Sequence, residues 1–366
     1  MASGKMQNAR IRLLYLASCI LLLASCTPLS VRPTVKIGLV APFEGRYRYA
    51  GYDVIYAVRL ALQEANAAGG VAGYSVELVA YDDGADPAMA IEQAHKLAVD
   101  PAVVAAIGHF RRETTTAALD AYAESSIPLV APAVFDATLT RGKAQVYRLT
   151  PPAETVAGAL LQHITASGYG QAALVTEGGP LGTALEIEPL AWAGDTDWVQ
   201  DVMDAGTQAV LCDANPVAAG EAIAALRAAG WQGVFLGGPE LAAPDFSAVA
   251  GDAAEGALFV TPYPFPMDVS GGADFAGRYR AVSNGVPPGP LALPAYEATW
   301  VLLEALEQSI AAHGKPTRSN LAAALPHTER QGELGHVAFD ANRAWDGPPL
   351  YWYRIDAEGI ARPIDA

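Results

Sequence analysis

Cysteine is nearly missing from this 366-residue chain, which has three. Cys19 and Cys26 fall at the N-terminus, so Cys212 alone is left for the remainder, and an intramolecular disulfide framework is excluded there. Cys212 lies in the apolar run "AVLCDA" and reads as a small buried core residue. Basic residues are also scarce, 23 against 39 acidic ones, for a net charge of −16. Residues 1–25 hold three of the basic residues and none of the acidic ones, so the chain from residue 26 onward stands near −19. Such an acidic surface excludes nucleic acid and an anionic lipid face as partners. Beyond residue 26 there is no second long apolar run, and so no candidate span of a bilayer.

Catalytic signatures are missing too. The six histidines (95, 109, 163, 313, 327 and 336) are scattered, with no pair at metal-ligand spacing. There is no Gly-x-Ser-x-Gly elbow and no phosphate-binding Gly-x-x-x-x-Gly-Lys-Ser/Thr loop. "GLVAPFEG", after the first apolar run, lacks the dinucleotide glycine pattern. "AYDDGAD" reads as a strand end and helix cap, with a divalent-cation site as the alternative. The chain is read as a non-enzyme without cofactor or metal.

What is present begins with Lys5, Arg10 and Arg12, followed by the apolar stretch "LLYLASCILLLAS" and then Cys26. A basic flank, a short apolar core and small residues before a cysteine read as a signal peptide over residues 1–25. The cysteine resembles that of a bacterial lipobox, which implies lipidation of Cys26 as the first mature residue. An ordinary signal peptide or a short transmembrane anchor is the plainer alternative. Residues 26–34 then form a tether.

From Val35 the chain alternates short apolar runs with helical patterns. "VKIGLV" precedes a helix with Val54, Val58, Leu62 and Ala65 on one face, stopped by Gly69-Gly70. "YSVELVAYDD" reads as strand, "DPAMAIEQAHKLAVD" as a helix opened by Asp86 and Pro87, and "AVVAAIG" as strand again. A second series runs from "AETVAGALLQHITASG" to "QGVFLGG". Apolar strands joined by single helices indicate parallel sheets covered on both faces, and there are too many units for one sheet. Two doubly wound α/β lobes account for them. "PLALPAYEATWVLLEALEQSIAAHG" is the longest helical pattern, and the strand-like runs "GHVAFD" and "PPLYWYRID" after it would close both lobes. Pro262, Pro264 and Pro266 mark an extended crossing between lobes.

Several of these stretches match a known pattern: an Asn-x-x-Gly-Gly-x-x-Gly turn from Asn66, the strand end Tyr81-Asp82-Asp83, and Gly-Asp-Ala-Ala-Glu-Gly at 251–256. With "VKIGLVAPFEG" and "VVAAIGH" they resemble the leucine/isoleucine/valine-binding proteins of ABC transporters, which are type I periplasmic binding proteins. The resemblance covers residues 35–360. It implies two Rossmann-like lobes joined by a three-crossing hinge, lobe 1 from 35–150 plus 263–338 and lobe 2 from 151–262 plus 339–366. A small solute would be trapped in the cleft between them. It further implies a monomer, held at an extracytoplasmic membrane surface by its lipid, that serves permease and ATPase subunits. The same fold also serves non-transport envelope lipoproteins that act as sensors or protein-binding regulators.

The resemblance also places the site. Glu240, in "GGPELAAP", matches the family's Gly-Pro-Glu, whose glutamate receives a ligand amine. Arg112 falls where the family has a carboxylate-binding serine, beside Arg111 and Thr114 in "GHFRRETTT". The arginines would grip an anionic group. Alternatively they turn to solvent or pair with Glu113 while backbone amides line the mouth. Ala133 and Phe135 align with the second carboxylate loop, Phe135 as an apolar wall or as core. Leu181 stands where a stacking tyrosine is usual, in a loop that looks shortened over 183–195. Asn215 would offer an amide, Tyr49 and Arg46 would close over the ligand, and Tyr296 would look in from the hinge side.

Overall fold

The structure, a computed structural model, describes residues 32–190 and 197–365. The expected signal peptide and Cys26 lie outside the described residues, as does part of the loop that looks shortened. Among the described residues no helix is long and apolar enough to cross a membrane.

The first sheet carries five parallel strands in the order β2-β1-β3-β4-β5: β1 Thr34–Ala41, β2 Ser75–Asp82, β3 Val103–Gly108, β4 Leu129–Ala131 and β5 Val146–Arg148. Helices α1 (Arg48–Ala67), α2 (Pro87–Val99) and α3 (Arg112–Ser125) connect the first four strands. Local chemistry starts and stops them. The Asp86 carboxylate accepts the Met89 amide at 2.8 Å with Pro87 in the first turn, which is the expected cap. Val54, Val58, Leu62 and Ala65 of α1 are all buried, as their spacing predicts. β3 is apolar throughout and buried at every residue, as a central parallel strand must be.

The second sheet is built from α4 (Ala153–Ala166), β6 (Ala172–Thr176), α5 (Pro180–Leu185), α6 (Asp197–Asp204), β7 (Ala209–Asp213), α7 (Pro216–Ala228), β8 (Val234–Gly237), α8 (Pro244–Ala250) and β9 (Leu258–Thr261). Strands β6 to β9 run parallel. After β9 come α9 (Gly272–Val282), α10 (Ala292–His313), α11 (Arg318–Ala324) and a small hairpin of β10 (Arg330–Gly332) with β11 (Gly335–Val337). Then β12 (Tyr351–Ile355) pairs antiparallel with β9, and β13 (Ala361–Ile364) pairs antiparallel with β12 at the edge. The run "GHVAFD" thus differs from its expected role: its first residues form the hairpin and join neither large sheet. The longest helical pattern forms α10, closed by Gly314 in the left-handed region. Next to β6, pairing shrinks to one bridge, Leu174 with Pro189.

The chain passes between the sheets three times, after β5, after β9 and before β12. Tyr263, just past β9, is buried, and its hydroxyl meets the carbonyls of Pro132 and Leu149. Its ring stacks on Trp345, centroids 6.3 Å apart and 14° from parallel. Arg148 is buried beside it and donates from Nη1 to Thr150 Oγ1 at 3.2 Å and to the carbonyls of Phe135 and Pro151 at 3.3 Å. Loss of hydration at this depth pulls the Arg148 pKa down. Phe135 packs against the apolar clusters of both sheets.

Tyr263→Phe keeps the ring and strands two buried carbonyls. It is expected to lower stability by about 1–3 kcal/mol, read as a shift of the urea midpoint at unchanged slope.

Candidate ligand-binding cleft

Parallel strands covered on both faces expose their carboxyl ends, where the following helix presents free amides. In the first sheet the decisive edge follows β3. Gly108 has φ +122°, and a Cβ there would meet the Val40 carbonyl oxygen at 2.2 Å, so only glycine fits. The next residue, His109, is fully buried, with Nδ1 2.6 Å from Asp83 Oδ2 and Nε2 3.2 Å from the Tyr122 hydroxyl. With the carboxylate accepting, Nδ1 carries the hydrogen. Asp83, from the strand end "YDD", thereby anchors the loop that places Arg111 and Arg112. Arg111 precedes the first turn of α3, lies over the Tyr47 ring at 4.0 Å, and pairs with Glu113 at 3.4 Å. Arg112 is more exposed, 3.9 Å from Glu113 and 4.0 Å from Asp136.

The second sheet faces these residues with three loops. After β6 come Glu177, Gly179 and Leu181, at the end of β7 Asp213 and just past it Asn215, and after β8 Glu240. Together the two sides enclose a cavity of about 410 Å³, with Tyr49, Ala133, Phe135, Tyr263 and Leu291 in its wall. The size suits a small solute. At the rim Arg46 Nε lies 3.9 Å from Asp245 Oδ2, an ion pair that joins a loop of the first sheet to α8 of the second.

The Glu240 carboxylate has no hydrogen-bond partner among the described residues, although its backbone carbonyl accepts the Ala243 amide at 3.2 Å. It is open to cleft water yet flanked by protein on both sides, and that enclosure pushes its carboxyl up to about 7. Arg111 opposes the rise, while Asp213, Glu113 and Glu177 add to it. The Tyr49 hydroxyl is raised mainly by burial, then by the charges of Glu240 and Asp245.

Comparison with known proteins settles the kind of molecule. Residues 34–197 and 189–359 match the family described as periplasmic binding protein. The chain belongs to the periplasmic binding protein family. It is 26% identical over 328 residues to the leucine-, isoleucine-, valine-, threonine- and alanine-binding protein of Pseudomonas aeruginosa, covering 84% of this chain and 86% of that one. A leucine-binding protein of Thermotoga maritima superposes with a TM-score of 0.80 at 22% identity, over 90% of this chain and 98% of that one. A branched-chain amino acid substrate-binding protein of Streptococcus pneumoniae, solved with isoleucine, gives 0.77 at 22%, over 91% and 100%. The fold is the two-lobed type I form with an interlobe cleft, as the resemblance implied.

Of the residues expected at the site, Glu240, Arg111, Arg112, Ala133, Phe135, Leu181, Asn215 and Tyr49 line the cavity of this binding protein. Tyr296 does not. Its ring packs on Phe275 at 5.2 Å and its hydroxyl joins Glu64 and Arg278, because that face of α10 turns towards α1 and α9. Thr114 also leaves the site: it is buried, and its hydroxyl donates to the Arg111 carbonyl at 3.2 Å, the usual back-bond of a first-turn threonine. Asn215 lines the wall with its side chain already committed. Its Oδ1 caps α7 and its Nδ2 donates to Glu177. The arginines do pair with Glu113, and they line the cleft as well. Leu181 and Phe135 belong to the packed core and to the wall alike.

Among the lining residues that the sequence reading did not place at the site are Tyr47, Glu177, Asp213 and Tyr263. Tyr47 is the residue that opens α1, and Tyr49 lies in that helix's first turn. Asp213 ends an apolar run, a signal available in "AVLCDA" but spent on the cysteine.

His109→Ala strips the Asp83 carboxylate of its buried partner. It is expected to lower stability by about 1–3 kcal/mol and to broaden the near-UV circular dichroism of the Tyr122 environment.

Proposed function

We propose that this protein is the solute-capturing subunit of an ABC importer, holding an amino-acid-like solute, amide or related organic acid between its lobes. The observation that carries the reading is Glu240, whose carboxylate has no protein partner among the described residues and shares the interlobe cavity with two guanidinium groups. An ammonium would bind Glu240, and an anionic or polar group would lie against Arg112 and the amides that open α3. The lobes are residues 35–150 with 263–338 and 151–262 with 339–366. Rotation about the three crossings would shut the cleft, and the shut form is what permease and ATPase partners would read. The names of the relatives, which bind branched-chain and other small amino acids, support this class of cargo. Cys26, lipidated, would tether the mature protein to an extracytoplasmic membrane surface.

A thermal-shift screen of amino acids, amides and small carboxylates tests the reading. A solute bound by the folded form raises the melting temperature with its concentration. If no solute of these classes shifts it, capture for import is refuted and the regulator role, binding another envelope protein, takes its place. For the tether, a clickable fatty acid fed to cells is expected to label the wild type and not Cys26→Ala.

The pH dependence has a definite sign. Glu240 is faced by Tyr49, Arg111 and Glu113 from one side and by Asp213 and Glu177 from the other. Below about 7 its carboxyl takes up a proton and loses its attraction for an ammonium. Affinity for an amine solute should therefore fall by up to about tenfold per pH unit below that point, and Glu240→Gln should remove the dependence. Stability of the empty protein runs the other way. The contribution of Glu240 is full below its ordinary value of 4.5 and is lost as the pH rises through about 7.

A further inference from the structure

The charges around the cavity do not balance, and the imbalance has an address. Four carboxylates line it, Glu113, Glu177, Asp213 and Glu240, against the guanidinium groups of Arg111 and Arg112. Glu113 pairs with both arginines, at 3.4 and 3.9 Å. Glu177 accepts the Asn215 amide at 2.8 Å and the Asn215 side chain at 2.9 Å. Both Glu177 oxygens are occupied in this way, so among the described residues two of the four acids, Glu240 and Asp213, keep a carboxylate oxygen without a partner.

One of them is Glu240, described above. The other, Asp213, is held in a built setting at the end of β7. Its Oδ2 accepts the Gly182 amide at 2.7 Å and the Thr176 hydroxyl at 3.1 Å. A Cβ on Gly179 would fall 2.5 Å from Oδ2, and one on Gly182 2.8 Å from it, so both neighbouring glycines leave room for the carboxylate. Among the described residues Oδ1 has no hydrogen-bond partner, and the residue is partly open where it lines the cavity. Two groups of the β6–α5 segment, the Thr176 hydroxyl and the Gly182 amide, thus hold Oδ2 and leave Oδ1 unbonded. Burial raises the Asp213 carboxyl, while the Gly182 amide, the Thr176 hydroxyl and the charge of Arg112 hold it down. An alanine or leucine zwitterion would neutralise Glu240 and leave Asp213 unmatched.

We infer that Asp213 is a specificity-determining residue and that the cleft takes cationic solutes, a basic amino acid or a short diamine, with one positive group at Glu240 and a second at Asp213. The inference rests on the solute-capture reading above and narrows its cargo. Clamping by Gly182 and Thr176 means that Asp213 needs no reordering to receive the second cation, which favours affinity. Phe135 and Leu181 line the same cavity and would supply apolar surface for the methylene groups between the two charges.

Calorimetric titration of the purified protein with lysine, ornithine, arginine and putrescine, beside leucine, alanine and glutamine, tests this. The best basic solute is expected to bind at least tenfold more tightly than the best neutral one. Asp213→Asn should bring that ratio to within about twofold while neutral solutes bind as before, whereas Glu240→Gln should weaken both classes. A loss of folding alone would not change the ratio between classes, and the wild-type ranking decides the matter should the variant fail to fold. A neutral amino acid that binds as tightly as the basic ones, or a ratio unmoved in Asp213→Asn, overturns the role of Asp213 and leaves solute capture standing. No binding by any member of either class overturns the role of Asp213, and the thermal-shift screen with amides and carboxylates then decides solute capture.

Discussion

A parallel strand buried on both faces can offer a solute only its end. That constraint orders the whole molecule. Helices seal the faces of both sheets with apolar clusters, so every group able to meet a ligand must come from a loop at a strand's carboxyl edge. Two such edges set face to face make a cavity walled mainly by the segments that follow β1, β3, β4, β6, β7 and β8. The Asp83–His109 contact shows how firmly one of these loops is held, since it buries a carboxylate and an imidazole to fix a turn.

The alternation of strand and helix was legible because parallel packing demands apolar strands, and those runs are unmistakable in the sequence. The caps at Asp86 and Gly314 were legible for the same reason: their chemistry is local. Glu240 could be placed because it belongs to a motif. Orientation was not legible. Thr114 and Tyr296 occupy positions from which a side chain has two ways to turn, and partners far away in sequence decide between them. For Tyr296 these are Glu64 and Arg278. Asp213 went unread because its importance lies in Gly179 and Gly182, more than thirty residues away, which leave it space.

The electrostatics of the cleft follow from the same economy. Each of the two cleft arginines, Arg111 and Arg112, already has a carboxylate nearby, and Arg111 also has an aromatic face. The second lobe holds Asp213 and Glu177 with amides and a hydroxyl, which orient a carboxylate without cancelling its charge, and leaves the Glu240 carboxylate unpaired among the described residues. One wall is therefore close to neutral and the other negative, a polarity that the overall acidity of the chain does not by itself produce.

Phe135 carries a thermal consequence. Its ring touches the apolar cluster of each lobe, so any rotation that parts them must peel it from one. Water then wets that freed surface, at a cost that is largely entropic near room temperature and smaller in the cold. Cooling therefore loosens this aromatic hold between the lobes, while the rim pair of Arg46 and Asp245 responds instead to salt.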